Sequence, residues 1–156
     1  MSDWDEFGQR LASTFRQVSD RVFLIIASES DPARYVQFAG QSDRLDAEAP
    51  ATDVVADADE SALRGAGWSA PNSAQPNWSS SLVLPALTAE YEELAARCVV
   101  ALRDAYGIHG PDELAYRAWR EGEQMPTGET WTAEQIGRLD RGAESLELDA
   151  LGIASV

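Results

Sequence analysis

The chain has 156 residues, 44% of them hydrophobic, with a formal net charge of -15 and a pI near 4.2. Such a length and apolar content suit one domain with its own core and a tail. Every basic residue is arginine, and this acidic balance works against nucleic acid and anionic membranes, which are bound through basic patches.

One cysteine, Cys98, rules out a disulfide within the chain and fits a reducing compartment. The start, Met1-Ser2-Asp3-Trp4-Asp5-Glu6, is acidic and has no apolar stretch of the kind a signal peptide carries. No apolar run approaches the roughly 18 to 20 residues that span a bilayer. The expected location is cytoplasmic, with no membrane and no nucleic-acid partner.

In chain order, Trp4, Phe7, Leu11, Phe15 and Val18 recur at spacings of three and four. That is one face of a helix, expected over about 3–20, with Ser2 or Asp3 as cap and acids in its first turn. Arg21 to Gly40 then reads as a hairpin: Val22-Phe23-Leu24-Ile25-Ile26-Ala27, a turn at Asp31-Pro32, and Tyr35-Val36-Gln37-Phe38-Ala39. Leu45 to Ala49 adds a third strand and completes an antiparallel meander. A short helix is expected over about 59–64, ending at Gly65.

Gly67-Trp68 marks a tight path anchored by the indole, and residues 72–77 read as a polar loop. Trp78 to Leu84 is a further strand. A long helix, about 88–106, starts at a Thr88 cap and ends at Gly107. Pro111 to Glu121 fits a helix with proline at its first position, but Leu114, Tyr116 and Ala118 also alternate as in a strand, and both readings stand. From Gly122 the composition shifts to Gly, Pro, Thr and Glu. Residues 121–156 are expected to form an acidic, largely flexible tail, with a short helix near 132–138. Leu146 and Leu148 are spaced to lie on one side of an added strand, so the tail is a candidate to dock on the sheet. The predicted class is α+β, an antiparallel sheet of about four to five strands flanked by N-terminal and C-terminal helices, within residues 1–120.

Catalytic and metal chemistry find little support. His109 is the only histidine and sits between Gly107 and Gly110, where it reads as a turn residue. Gly67-Trp68-Ser69 lacks the closing glycine of a nucleophile elbow. Cys98 falls on the apolar stripe of the long helix and reads as an inert, buried thiol. Asp57 to Glu60 lacks calcium-loop spacing, and no phosphate-binding glycine loop occurs. No cofactor, no metal and no enzymatic activity are expected.

The order of elements is similar to the small α/β fold of type III secretion chaperones. Tyr35-Val36-Gln37-Phe38, Asp46-Ala47-Glu48, Leu63, Gly67-Trp68, Pro71, Asn77 and the run from Leu94 to Gly107 before Pro111 resemble the TY-Chap family. Those actinobacterial domains are grouped with type III secretion chaperones and YbjN proteins. The resemblance covers about 4–119. It implies a peptide-binding chaperone without catalysis, and it implies dimers that wrap their clients.

The first strand of the hairpin is apolar at every position, so it is expected to need cover on both faces. Burying one large apolar side chain is worth about 1.5–3 kcal/mol. Two or three left in water would forgo about 3–9 kcal/mol, against a domain stability of about 5–15 kcal/mol. Three candidates could provide the cover: the short helix with Gly67-Trp68, a second copy of the domain, or an extended client protein or peptide. The client surface expected from the sequence is Phe23, Ile25, Tyr35, Gln37, Phe38 and Trp78. The alternative class is an acidic toxin-neutralising, immunity-type or regulatory protein that blocks a folded basic partner through charge.

Overall fold

The computed structural model describes residues 2–125, 128 and 130–156. Met1 and, within the Gly/Pro/Thr-rich stretch, Pro126, Thr127 and Glu129 lie outside the described residues, so the reading of those positions as loop does too.

Helix α1 spans Asp3–Thr14. The Ser2 hydroxyl accepts the Asp5 amide, and the Asp5 carboxylate accepts the Ser2 amide, which closes a capping box. The helix is shorter than its apolar stripe, because the chain tightens into a 3₁₀ turn at Phe15–Gln17. Trp4, Phe7, Leu11, Phe15 and Val18 are nonetheless all buried. The chain then crosses the end of a strand. A Cβ on Gly40 would lie 1.9 Å from the Ser19 carbonyl oxygen, so only glycine permits the crossing.

Six strands form one sheet among the described residues: β1 (Val22–Ser28), β2 (Tyr35–Gly40), β3 (Arg44–Ala49), β4 (Trp78–Val83), β5 (Leu114–Arg120) and β6 (Ala154–Ser155). Their order is β4-β3-β2-β1-β5-β6. The predicted α+β class and the meander hold, and all neighbours are antiparallel except the short β5–β6 pair. β1 is central, with Leu24 opposite Phe38 on one side and Ala118 on the other. Of the two readings of Pro111 to Glu121, the strand prevails. A 3₁₀ turn at Pro111–Glu113 uses up the proline, and Leu114, Tyr116 and Ala118 alternate into the core while β5 pairs along β1. Helix propensity is overridden by the free edge of a central, apolar strand.

Helix α2 (Glu60–Ala66) is capped by Asp59, whose carboxylate accepts the Ser61 and Ala62 amides. It stops at Gly67 rather than Gly65, since Gly67 takes the left-handed conformation (φ +101°) that ends the helix. Helix α3 (Thr88–Val99) continues as a π-helical turn over Val100–Ala105 before Gly107. Its entry is Leu87, one residue before the expected cap, with Glu90 reaching back to the Leu87 amide at 3.0 Å. Helices α1 and α3 pack on each other and on one face of the sheet. A short helix, α4 (Ala133–Gly137), is capped by Thr132.

Candidate functional site: the open face of the sheet

Alternation along β1 divides its apolar residues between two environments. Val22, Leu24 and Ile26 point to the helices and are 0–3% exposed, whereas Phe23, Ile25 and Ala27 point the other way and are only half-buried. The same parity carries Tyr35, Gln37 and Ala39 of β2 and Asp46 and Glu48 of β3 to the second face through their cross-strand pairing. Arg117 and Trp119 of β5 arrive there opposite Ile25 and Phe23.

A shallow cleft of about 230 Å³ lies on this face, lined by strand residues alone: Phe23, Ile25, Gln37, Phe38, Ala39, Asp46, Glu48 and Trp119. The Phe23 and Trp119 rings stack with centroids 5.4 Å apart and planes 13° from parallel. The Arg117 guanidinium lies 4.7 Å from the Trp119 ring centre, a cation–π contact that extends this apolar platform. Opposite it is a polar wall. Gln37 Nε2 donates to Glu48 Oε2 at 2.8 Å, and Gln75, from the polar loop, donates to Glu48 Oε1. Asp46 is paired with Arg44 (2.9 Å) and accepts the Ser81 hydroxyl (2.8 Å). Glu48 is thus held by two amides, whereas Asp46 is neutralised by an arginine. Burial, followed by the nearby Glu48 charge, raises the Tyr35 phenol above its ordinary value. The cleft is smaller than a typical small-molecule pocket of about 300–1,000 Å³. Its size suits a side chain of an extended segment.

Four of the six sequence-expected residues meet on this face: Phe23, Ile25, Tyr35 and Gln37. Two do not, and the correction follows from strand parity. Phe38 is paired with Leu24, so its ring faces the helices and meets Phe15 with centroids 5.0 Å apart. It borders the cleft only as part of β2. Trp78 pairs with Ala49 on the helix side and is fully buried, its indole N–H without a partner among the described residues and its ring 5.4 Å from the Arg64 guanidinium. Strand pairing, which the hairpin's local sequence does not contain, turns Phe38 toward the helices. Trp119 joins this face although the sequence expectation does not include it. Its signal was present in the alternation of Arg117 and Trp119 against Tyr116 and Ala118, which becomes usable once 114–120 is taken as a strand.

The first candidate for covering this face is eliminated. Trp68 is buried with the helices, its indole N–H donating to the Arg97 carbonyl at 3.0 Å, and Leu63 of α2 joins the same core. Neither lines the cleft. His109 has an exposed side chain, and its carbonyl accepts the Trp4 indole N–H at 3.3 Å. Cys98 is fully buried, and desolvation pushes its thiol far above the ordinary value. Among the described residues no group of three or more His, Cys, Asp or Glu is placed to hold a metal ion, and no helix is long and apolar enough to cross a membrane.

A helical layer on one side of a largely antiparallel sheet, with an uncovered apolar cleft on the other, has the form of a peptide-binding α+β domain. Residues 1–120 match the TY-Chap3 family, described as type III secretion system (YopN, CesT) and YbjN peptide-binding chaperone 3, and the chain belongs to that family. No curated protein and no solved structure matches the chain.

Proposed function

We propose that this domain is a non-catalytic chaperone that holds an extended segment of a client protein on the open face of its sheet. The observation that carries this is the Phe23–Ile25–Trp119 cleft, which the chain's own helices leave uncovered. A flat platform of stacked rings takes apolar side chains without demanding one sequence, which suits a holder of unfolded segments. Phe23, Ile25 and Trp119 supply the apolar contact, while Gln37, Tyr35 and Glu48 supply polar groups beside it. The setting is the cytoplasm, and neither nucleic acid nor a membrane surface takes part.

The test is capture of clients from the native cell by wild-type protein and by Ile25→Asp. A carboxylate in the cleft should abolish capture while the circular dichroism spectrum stays unchanged. A folded variant that retains every client overturns the reading. Sedimentation of the purified protein decides whether a second copy covers this face instead.

A second reading rests on the net charge of -15: an immunity-type or regulatory protein that neutralises a folded basic partner. Such binding would weaken steeply with added salt and form fast, whereas apolar capture changes little with salt. Repeating the capture at low and high ionic strength separates the two.

A further inference from the structure

Residues 121–156 lie outside the family match, yet the stretch 140–156 returns to the domain. The outer edge of β5 is where it binds. Arg120 and Ala143 exchange both backbone hydrogen bonds, at 2.9 and 2.8 Å. The Leu146 amide donates to the Ala118 carbonyl at 2.8 Å, and the Val156 amide to the Tyr116 carbonyl at 2.9 Å. The Tyr116 hydroxyl, which is buried, accepts the Leu148 amide at 2.8 Å. Between these contacts a 3₁₀ turn, Asp149–Leu151, places Leu148 and Leu151 in the core at 3% and 1% exposure. Leu151 borders a hollow that Phe7 of α1 and Leu114 of β5 also line. Gly152 then turns the chain back with φ +69°, so close to Arg10 that a Cβ would stand 2.8 Å from the guanidinium.

Main-chain hydrogen bonds to a sheet edge, with hollows for spaced side chains, is how sheets take up peptides. We propose that the outer edge of β5, with the buried positions that Leu148 and Leu151 take up between it and α1, is a second peptide-binding site, and that the chain's own residues 143–156 fill it in cis. The ligand class follows from the occupant: a segment that pairs its backbone with β5 at either end and, through a tight turn between, buries leucines at positions i and i+3, as in Leu148-Asp149-Ala150-Leu151. This site is separate from the open-face cleft and goes beyond the function proposed for it. The tethered occupant competes at an effective concentration of about millimolar, so a segment in trans gains the site only when the tail leaves.

The probe is a fluorescein-labelled synthetic peptide of residues 142–156, added to the full chain. The wild-type chain should bind it at least about 100-fold more weakly than the double variant Leu148→Ser/Leu151→Ser, whose tail has lost its anchors. The same peptide with both leucines replaced by serine should not bind. Bound peptide should shift the NMR signals of Tyr116, Ala118 and Arg120. Shifts confined to Phe23, Ile25 and Ala39 would overturn this proposal and leave the open-face reading standing. A folded double variant that ignores the peptide, or one that binds the serine peptide equally, overturns it as well. If the double variant does not fold, hydrogen exchange of the wild-type chain decides. An exchangeable tail opens locally, so the Leu146, Leu148 and Val156 amides should exchange faster than those of Leu24 and Ile26. Equal protection would make the tail an integral part of the cooperative fold and overturn its role as a displaceable occupant.

Discussion

The two sides of β1 differ in what they are built to do. Toward the helices, Val22, Leu24 and Ile26 interlock with α1 and α3 and are almost fully buried. Toward the open face, Phe23 and Ile25 are as large and as apolar, but they are covered only by lateral neighbours, the Trp119 ring and the alternate residues of β2. One run of sequence thus serves packing at even positions and contact at odd ones. The sequence-level expectation that large apolar residues demand full cover needs refinement here. Edge-to-edge packing within a sheet, rings stacked and an arginine laid over indole, removes part of the water contact without any second layer. On the function proposed above, the remaining exposure is what a client would gain by binding.

This contrast breaks most sharply under truncation. Leu24→Ala deletes a fully buried side chain between the sheet and its helical layer and should cost about 2–5 kcal/mol in urea unfolding. Trp119→Ala removes a stacked ring from the open face, a pair worth about 0.5–1.5 kcal/mol beyond area burial, and should destabilise clearly less than Leu24→Ala while abolishing client capture. Ile25→Ala should cost less again, about 1 kcal/mol, since the half-buried side chain forgoes only part of its transfer energy. An Ile25→Ala cost equal to that of Leu24→Ala would mean that the open face is packed in solution, by a second copy or by the chain itself.

The fold was largely legible in the sequence, for reasons tied to particular residues. The stripe of α1 and the turn at Asp31-Pro32 are local signals, and they located the first helix and the meander. The half of the site on β1 and β2 was legible once the all-apolar strand was noticed. What local pattern could not supply was parity across strands and the fate of distant segments. Phe38 and Trp78 look like any exposed aromatic near a polar loop until their partners, Leu24 and Ala49, fix the face they occupy. Trp119 required knowing that β1 has a free edge for 114–120 to fill. Docking of the tail was legible as an option from the spacing of Leu146 and Leu148, but not that Leu148 and Leu151 are the buried pair, because the elements they pack near, α1 and β5, lie more than a hundred residues and about thirty residues away respectively.

Acid offers the smallest effect and separates the edge of the sheet from its helix-covered face. The strand residues that face the helices carry no carboxylate, so their packing is indifferent to moderate acid. The tail, by contrast, is latched by Asp140. Its carboxylate accepts Arg120 Nε at 2.6 Å and Nη2 at 3.0 Å, the Gly142 amide at 3.0 Å, and Arg21 at 3.1 Å. The Arg120 hydrogen bonds, first, and the Gly142 amide hold it well below the ordinary value of 3.8. A carboxylate whose folded value is depressed binds fewer protons folded than unfolded in the window between the two values. The stabilisation it gives is therefore complete above the ordinary carboxylate range and is lost as pH falls below about 3.8. Because the side chain is 29% exposed, solvent screens the pair and the effect is small. Asp140→Asn keeps the shape and removes the charge, so its urea midpoint should fall less between pH 6 and pH 3 than that of the wild-type chain. Equal falls would mean that the latch contributes nothing to holding the tail on β5. In that case the backbone hydrogen bonds and the buried leucines secure the edge, and the displacement of residues 143–156 would be governed by Leu148 and Leu151 rather than by charge.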